Sequence, residues 1–567
     1  MNLINNINII NIIILLITLG LIGFVIYRKY KFPQNPPESF PLSKTTEIII
    51  AGILGICLVI VLSFRLGAVP AGLHVDEAGM AYDALSLAKH GTDRFGYHHP
   101  AYLINFGGGQ NALYTYLASI VVRILGFSIF AIRIPALILA LAAAAVFYFL
   151  MRRVKGPVFA LIGLALFVVL PFSIMHSRWG LESYLFFPLS IMSIAALWLA
   201  FKEHKIWQFV LAGVAFGITL YTYAVSYLIL PAFLAALMIY ALYTKRLKLA
   251  ELFAFAIPLG LLAVPLILML AINQGIIPEI ANRFFSVPKM WFYRGGEFSL
   301  ANIPHNLNIF NIIFSQDFLS YNANPTFGTM YYFSIPLVVL GLGIVARRSY
   351  FWMRSDVRSK AARSEFSLDI FMLVFFIMNF FCAMILDGPN INRINAIYVP
   401  LFYFLAVAIF WLYQHWRWSL VAIGTFYLIS FGLFAKWYYF EYPLTVHDRD
   451  LFVTLDDYDQ ALDFAKEHTS GEIQVWVGGL YSQPYIYTAL ADEIDAEEFQ
   501  RTSYIQSSHV LVLGEYRFGG GDLEIIDPDD TYVFMGSNTV PDNPTLKQML
   551  SERFGEYIVY YPTKRKK

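Results

Sequence analysis

Charged residues are scarce in this sequence, since Asp, Glu, Lys and Arg together make up only 14% of its 567 residues. A soluble globular domain carries closer to about a quarter of its residues as charged. Hydrophobic residues reach 58%, and the mean hydropathy is +0.59. The lack of charge therefore excludes an ordinary soluble protein and predicts a protein that crosses a membrane many times.

Cysteine is also rare, and neither sign of charge dominates. The two cysteines, Cys57 and Cys382, lie in apolar runs, where a thiol behaves as a small hydrophobic group. We therefore expect neither a disulfide framework nor a thiolate metal site. The net charge is +1, and no basic stripe or nucleic-acid motif accompanies it. Nucleic acid is accordingly not expected as a partner.

Long apolar runs are what the sequence has instead. A helix needs about 20 apolar residues to cross roughly 30 Å of hydrocarbon. Runs near that length occur at twelve places: 9–27, 48–64, 130–151, 158–175, 184–201, 206–223, 227–242, 252–272, 331–346, 368–386, 396–413 and 420–435. We predict about twelve transmembrane helices.

Lysine and arginine collect in alternate connections between these runs, at residues 28–31, 152–155, 202–205, 245–248, 347–363 and 417. By the positive-inside rule these connections are cytoplasmic. The other connections, which include 66–129 and 273–330, and the chain after Lys436 are then extracytoplasmic. The first run has no charged residue before it, so we expect an uncleaved span and not a signal peptide.

The chain after Lys436 changes character. Acidic residues become frequent, and apolar runs shrink to strand length at 473–477, 509–513, 531–535 and 557–561. Helices are predicted at 457–467, where Thr454 and Asp457 have capping-box spacing, and at 546–554. We predict a small extracytoplasmic α/β domain. Its acidic surface lacks cations for a phosphate, so we expect it to tune acceptor choice and to carry no catalytic group.

The predicted fold class is therefore an α-helical polytopic membrane protein with a small C-terminal α/β domain. Residues 1–46 form an extra N-terminal helix and a cytoplasmic linker. Residues 47–436 form the transmembrane catalytic domain with the outer loops 66–129 and 273–330, and residues 437–567 form the C-terminal domain.

The first outer loop begins with the sequence His-Val-Asp-Glu at residues 74–77. Carboxylates at a membrane surface are costly unless they have a role. Asp76 and Glu77 suit the first turn of a helix, and Gly91 suits its end. Capping needs one carboxylate and does not account for His74, Asp83 or Asp93. We interpret this segment as a candidate acid–base site.

The same loop continues with a polar stretch from Asp93 and with three glycines, 107–109, before Gln110 and Asn111. Loops of this length are often functional. The glycines could let the backbone approach a bound headgroup, because they carry no side chain. A flexible turn before an interfacial helix at 113–125 explains them equally well.

These motifs resemble the GT-C superfamily of membrane glycosyltransferases. The resemblance rests on Asp-Glu-Ala at 76–78, the G-x-D pattern that ends at Asp93, the segment 127–135 with Arg133, and the segment 171–182. It is most similar to the protein O-mannosyltransferase and aminoarabinose-transferase branch and covers roughly residues 48–413. The resemblance implies a catalytic carboxylate in the first outer loop and a polyprenyl-phosphate sugar as donor.

The sequence departs from that branch at two positions. Gln110-Asn111 stands where the aminoarabinose transferases have a Lys-Pro pair, so a cation is missing from the first outer loop. Glu182 takes the place of a second acidic residue of the mannosyltransferases, at a different spacing. The resemblance therefore leaves open which residues hold the donor phosphate.

Transfer of a sugar from a lipid phosphate to a hydroxyl needs a base at the acceptor and cations at the leaving phosphate. We expect Asp76 to be the base of an inverting displacement and Glu77 to orient it or the acceptor. Arginines beside span ends can hold a phosphate through two parallel hydrogen bonds or can be interfacial snorkelling residues. The candidate donor or substrate residues are Arg178, Arg393, His74, Asp93, Gln110 and Glu182.

The remaining expectations concern ligands and rival functions. The aromatic residues of loop 273–330 suit sugar stacking and a membrane-interface belt equally. No cofactor and no obligatory metal are predicted, although Asp76, Glu77 and a histidine offer ligands for a divalent ion. Membrane lipid and a cell-envelope glycan, lipid or protein hydroxyl are the expected partners beside the donor. A lipid-linked polysaccharide polymerase or ligase and a flippase are the alternatives.

Overall fold

The computed structural model describes most of the chain, namely residues 2–32, 42–292, 296–315, 323–356, 367–442, 452–453, 455–476, 483–506, 509–519, 526–535 and 540–563. Thr454 and residues 357–363 of the basic cluster lie outside the described residues. The chain divides into two compact units. Unit 1 comprises Met1–Leu66, Ala136–Val264 and Gly295–Tyr442, and unit 2 comprises Gly67–Pro135, Pro265–Arg294 and Pro443–Lys567.

Helices make up most of the structure. In chain order they are α1 Asn2–Lys31, α2 Lys44–Ser63, α3 Val75–His90, α4 Leu113–Leu125, α5 Ile129–Lys155, α6 Pro157–Val169, α7 Pro171–His176, α8 Phe186–Glu203, α9 Ile206–Thr219, α10 Ser226–Tyr243, α11 Leu249–Asn273, α12 Ser334–Asp356, α13 Leu368–Ile385, α14 Ile391–Ile394, α15 Tyr398–His415, α16 Trp418–Lys436, α17 Leu455–His468, α18 Pro484–Ala491 and α19 Ala496–Thr502.

Eleven of the twelve apolar runs lie mainly within one of these helices, and the run at 158–175 is divided between α6 and α7 at Leu170. Within the described residues, ten helices are long and apolar enough to cross a membrane. The predicted span at 158–175 forms α6 and α7, and the one at 206–223 forms α9; α6 and α9 are shorter than a typical span. The predicted fold class is confirmed, since the chain is mostly helical with a small C-terminal sheet region. The count of twelve stays a prediction.

The helix α15 forms the centre of unit 1. Its residues from Tyr398 to Phe410 are all buried, and it packs against α6, α12 and α13. A helix that is apolar on every side is stable inside a bundle because it exposes no polar stripe to a solvent. Gly341 lets α12 approach α15 closely, since a Cβ at this position would lie 1.9 Å from the carbonyl oxygen of Phe404.

Unit 2 contains α3, α4 and several short strands. The strands are β1 Leu73–His74, β2 Tyr102–Asn105, β3 Gly108–Asn111, β4 Ile280–Ala281, β5 Ser286–Val287 and β6 Phe452–Val453. The glycine-rich segment forms the hairpin of β2 and β3, with Gly107 in the turn. Gly109 lies against the ring of Tyr102, where a Cβ would be only 2.1 Å from a ring carbon. The three glycines therefore serve this hairpin, and the predicted helix at 113–125 follows it as α4.

A mixed sheet of seven strands completes unit 2. Its strands are β7 Ile473–Trp476, β8 Ser503–Gln506, β9 His509–Leu513, β10 Tyr516–Phe518, β11 Thr531–Met535, β12 Leu550–Phe554 and β13 Tyr557–Tyr561, in the spatial order β12-β13-β11-β7-β10-β9-β8. The central strand β7 is parallel to both of its neighbours. The helix α17 packs on β11 and β13.

The four predicted strands of this region and the helix at 457–467 are confirmed. The predicted helix at 546–554 is wrong, because only Leu546–Gln548 forms a short 3-10 turn and Leu550–Phe554 is a strand. Gly555 has a φ of 54° between β12 and β13. A glycine at the first position of a two-residue connection is a hairpin signal, and it outweighed the helical spacing of the apolar residues.

Candidate active site

The helix α3 begins at the His-Val-Asp-Glu segment. His74 is its N-cap, and the ring Nδ1 of His74 accepts a hydrogen bond from the main-chain N–H of Asp76 at 3.2 Å. Nδ1 lies 3.7 Å from Oδ2 of Asp76, which is too far for a hydrogen bond. Gly91 ends the helix with a φ of 71°. His74 is therefore the capping residue that sets the direction of the first turn.

Glu77 is enclosed by an arginine of α5. Nε and Nη2 of Arg133 donate to the two carboxylate oxygens of Glu77 at 2.8 and 2.9 Å, and neither side chain is exposed. The same guanidinium also donates to the carbonyl oxygens of Pro70 and Gly72. This pair ties α3 to the chain segment that precedes it. Of the two roles expected for Glu77, orientation of its neighbour is the one that this geometry favours.

A second buried ion pair holds the middle of α3. The guanidinium of Arg94 donates to both carboxylate oxygens of Asp83, at 2.9 Å from Nε and 2.7 Å from Nη2. Nη2 of Arg94 also donates to the carbonyl oxygen of Gly79. A Cβ on Gly79 would lie 2.5 Å from Oδ1 of Asn105 and 3.1 Å from Nη2 of Arg94. The pair can form because glycine leaves room for the guanidinium against the helix.

Asp76 differs from the other two carboxylates of α3. Its side chain is 49% exposed, whereas Glu77 and Asp83 are buried and bonded to arginines. Two buried pairs thus fix the helix, and the carboxylate in its first turn remains open to a ligand. This arrangement suits a general base, which must reach the proton that it removes.

Asp93 and Gln110 are buried in the structure. Oδ1 of Asp93 accepts hydrogen bonds from the main-chain N–H groups of Phe95 and Tyr97 at 3.0 and 2.9 Å. Burial and the nearby carboxylate of Asp83 raise the pKa of Asp93 to about 7. The side chain of Gln110 is 4% exposed. Both residues therefore lie behind the surface, so contact with a substrate would need a local opening.

In unit 1, Arg178 is also fully buried. Its Nη1 donates to the carbonyl oxygen of Leu62 at 2.7 Å, and its Nη2 donates to that of Phe64 at 2.7 Å. The guanidinium lies over the ring of Tyr439, 5.2 Å from its centre. Arginine commonly satisfies the last carbonyl groups of a helix in this way. The geometry favours a capping role at the end of α2 over phosphate binding.

Arg393, also in unit 1, keeps part of its side chain at the surface. Its side chain is 24% exposed, and Nη1 contacts Glu297 at 3.4 Å and the carbonyl oxygen of Asp387 at 2.9 Å. The turn that begins at Glu182 lies beside it. Tyr184 donates to Asn392 at 2.9 Å, and Asn395 donates to the carbonyl oxygen of Ser183 at 2.9 Å. The structure thus brings the Glu182 turn and the Arg393 helix together.

A cleft of about 470 Å³ lies within unit 2. The cleft is lined by residues 95–98 and by Ala281, Asn282, Arg283 and Ser286. The hydroxyl oxygen of Ser286 is buried and has no hydrogen-bond partner among the described residues. Volumes of several hundred Å³ are usual for small-molecule sites. Aromatic rings beside amide, hydroxyl and guanidinium groups are a surface that suits a sugar.

Metal ligands do not converge in the part of the chain that the structure describes. No group of three or more His, Cys, Asp and Glu side chains there could hold an ion. The expectation that no metal is required stays a prediction.

Sequence reasoning missed the two buried ion pairs. The signal was present, because Arg133 lies inside a predicted span, where an arginine is costly without a partner. Asp83, six residues after Glu77, gave no such signal. Its pairing with Arg94 is seen only in the structure, where the loop after α3 folds back on that helix.

The chain is similar to known proteins in part of its sequence and in its fold. A sequence model of the dolichyl-phosphate-mannose-protein mannosyltransferase family matches residues 110–272. ArnT from Cupriavidus metallidurans bound to undecaprenyl phosphate is 13% identical, with a TM-score of 0.50 over 92% of this chain and 98% of that chain. The Archaeoglobus fulgidus oligosaccharyltransferase is 12% identical, with a TM-score of 0.45 over 79% of this chain and 63% of that chain. No curated protein sequence matches this chain.

The predicted similarity to GT-C membrane glycosyltransferases is therefore confirmed. The family match starts at Gln110 and includes the segment with Arg133 and Arg178. The similarity to ArnT extends over almost the whole of both chains. The predicted class of enzyme, a membrane glycosyltransferase, agrees with the family match.

Proposed function

We propose that this protein transfers a sugar from a polyprenyl-phosphate donor to a hydroxyl group of an extracytoplasmic, cell-envelope acceptor. The observation that carries the proposal is the half-exposed Asp76 in the first turn of a helix whose other carboxylates are buried in ion pairs. An accessible carboxylate on a rigid element is what base catalysis requires. The undecaprenyl phosphate bound to ArnT supports the donor class.

The reaction is a single inverting displacement. Asp76 takes the proton of the acceptor hydroxyl as that oxygen attacks the anomeric carbon of the donor. The bond between the anomeric carbon and the phosphate oxygen breaks, and polyprenyl phosphate leaves with the electron pair. A cation near the phosphate stabilises this leaving group. Arg393 is the favoured cation, because part of its guanidinium side chain is exposed while Arg178 is fully buried.

Acceptor binding is assigned to the cleft in unit 2. Phe95 and Tyr97 contribute aromatic side chains to its lining, and Asn282 and Arg283 contribute polar ones. Sugars bind to such mixtures because one face of the ring is apolar and its rim carries hydroxyls.

The test is to incubate the purified full-length protein with several polyprenyl-phosphate sugars and to measure released polyprenyl phosphate. We expect Asp76→Asn to lower kcat by about 10²–10⁴-fold, the usual contribution of a general base. Asp463→Asn is the matched control, because Asp463 is also an exposed helical aspartate of unit 2. Near-normal turnover in Asp76→Asn would disprove the base assignment. Turnover of a polyprenyl-diphosphate-linked sugar, with release of polyprenyl diphosphate, and of none of the monophosphate donors would favour a polymerase or ligase.

The orientation can be tested separately. Phe284 and Tyr243 are 84% and 83% exposed, in a predicted outer loop and beside a predicted cytoplasmic loop. A cysteine at Phe284 should react with an impermeant reagent added to intact cells, and a cysteine at Tyr243 should not. The reverse pattern would place the active site in the cytoplasm and remove the argument for a lipid-carried sugar.

A further inference from the structure

The C-terminal segment of unit 2 contacts the strand that leads into α3. Strand β6 pairs antiparallel with β1, so that Leu73 lies opposite Val453 and His74 lies opposite Phe452. His74 is also the residue whose ring caps the first turn of α3. Residues more than 370 positions away in the sequence therefore fix the backbone two residues before Asp76.

Tyr487 of α18 acts on the same strand. Its side chain is fully buried, and its hydroxyl donates to the carbonyl oxygen of Leu73 at 3.2 Å. Burial, together with the nearby carboxylates of Asp76 and Glu77, raises the pKa of Tyr487 well above its ordinary value. The hydroxyl is therefore protonated and can donate at any physiological pH.

Other contacts hold α3 along its length. The hydroxyl of Tyr82 donates to the carbonyl oxygen of Ile494 at 2.7 Å, and Arg94 donates to the hydroxyl of Tyr485 at 3.2 Å. At the far end of the helix, Nε2 of His90 lies 3.0 Å from Oδ2 of Asp495. The C-terminal segment thus contacts the start, the middle and the end of the helix that carries the proposed base.

We propose that Tyr487 and strand β6 are positioning elements for Asp76, so that the C-terminal segment controls the rate of transfer. This inference rests on the proposed function. The hydroxyl of Tyr487 and the pairing with β6 hold β1, β1 holds the His74 cap, and the cap sets the first turn of α3. Misplacement of a reacting group by about 1 Å can cost about 10²-fold in rate. The proposal adds a second role to the expected one: the C-terminal domain would position the base as well as tune acceptor choice.

The first measurement compares Tyr487→Phe with wild type in steady-state transfer. Phenylalanine keeps the ring and removes the hydroxyl that holds Leu73. We expect kcat to fall about 10-fold while KM for the donor and for the acceptor stay within about twofold, since no substrate contact is removed. Tyr458→Phe is the matched control. It removes an equally buried hydroxyl, which is bonded to Thr488 at 2.6 Å within the same segment.

The second measurement is hydrogen exchange of the full-length protein, followed on a peptide that covers residues 70–82. Tyr487→Phe should speed exchange of this peptide, and Tyr458→Phe should leave it unchanged, because local protection reports local opening. Wild-type kcat or wild-type exchange in Tyr487→Phe would overturn the inference. Equal changes in both variants would also overturn it, because they would indicate a general loss of packing.

The two proposals fail in different ways. If the wild-type protein releases no polyprenyl phosphate from any donor, the proposed function is wrong. The exchange experiment still decides whether Tyr487 holds the first turn of α3. If wild type is active and Tyr487→Phe matches it, the function stands and the positioning role is wrong.

Discussion

The first turn of α3 in unit 2 and the arginine-bearing turns of unit 1 contain charges of opposite sign but follow the same pattern. In each region one charged side chain is buried and fully bonded, and another is partly open. Glu77 is bonded to Arg133 while Asp76 is 49% exposed. Arg178 caps α2 while the side chain of Arg393 is 24% exposed.

The difference between the regions lies in what neutralises the buried charge. In unit 2 the partner of Glu77 is a second full charge. Removal of either partner would leave an uncompensated buried charge and lower the stability of the fold. In unit 1 two main-chain carbonyl groups, which carry only partial charges, accept hydrogen bonds from Arg178. A charge beside a membrane span is therefore not by itself a sign of catalysis. Its exposure and its bonds decide whether it can meet a ligand.

The largest expected effect follows from breaking the buried pair of unit 2. Glu77→Gln or Arg133→Met leaves one buried charge without its partner, which should lower the free energy of unfolding by about 3–5 kcal/mol. The double variant Glu77→Leu with Arg133→Met should recover most of that stability, because an apolar pair of similar volume is often neutral. Thermal unfolding of the purified protein is the measurement. Full stability of the single variants would show that the pair is not needed.

A smaller effect is expected from the two arginines of unit 1. Arg393→Ala should raise KM for the donor and lower kcat/KM by about 10-fold or more, since a hydrogen bond to a charged group contributes about 1.5–3 kcal/mol. Arg178→Ala should lower the melting temperature and leave KM for the donor nearly unchanged. Donor titrations of both variants provide the comparison. A selective donor defect in Arg178→Ala would reverse the assignment.

The smallest effect concerns the pH dependence of unit 2. The pKa of Asp93 is raised to about 7, so the folded protein binds a proton that the unfolded chain has released above about pH 4. This contribution to stability is complete below the unfolded pKa and is lost as the pH rises through about 7. The melting temperature of Asp93→Asn minus that of wild type should therefore increase as the pH is raised from 5 to 8. Parallel pH profiles would show that Asp93 is already ionised at pH 5.

Much of the fold could be predicted because local patterns are strong. Long apolar runs predicted the membrane helices, and alternating short runs predicted β7, β9, β11 and β13. The strands β6, β8 and β10 were missed, since they are short and gain their stability from neighbours in the sheet. The helices α6 and α9 are shorter than the apolar runs that predicted them. The length of an apolar run does not show where a turn ends the helix.

The candidate site was predictable in part. The position of Asp76 in the first turn of a helix that ends at Gly91 followed from residue types at fixed offsets. The cap supplied by His74 was not predicted. The distinction between Asp76 and Glu77 did not follow, because adjacent helical residues point about 100° apart and the sequence does not say which direction is inward. The separate behaviour of Arg178 and Arg393 did not follow either, because the burial of each side chain depends on the folded chain around it.

The sequence by itself determined the class of this protein, its membrane helices and the loop that carries the proposed base, because composition and periodicity act locally along the chain. Only the tertiary structure decided which charges are buried in pairs and which remain open. It also decided that Tyr487 and strand β6 hold the backbone before Asp76. These contacts join residues hundreds of positions apart, and their energies depend on burial and distance, which exist only once the chain has folded.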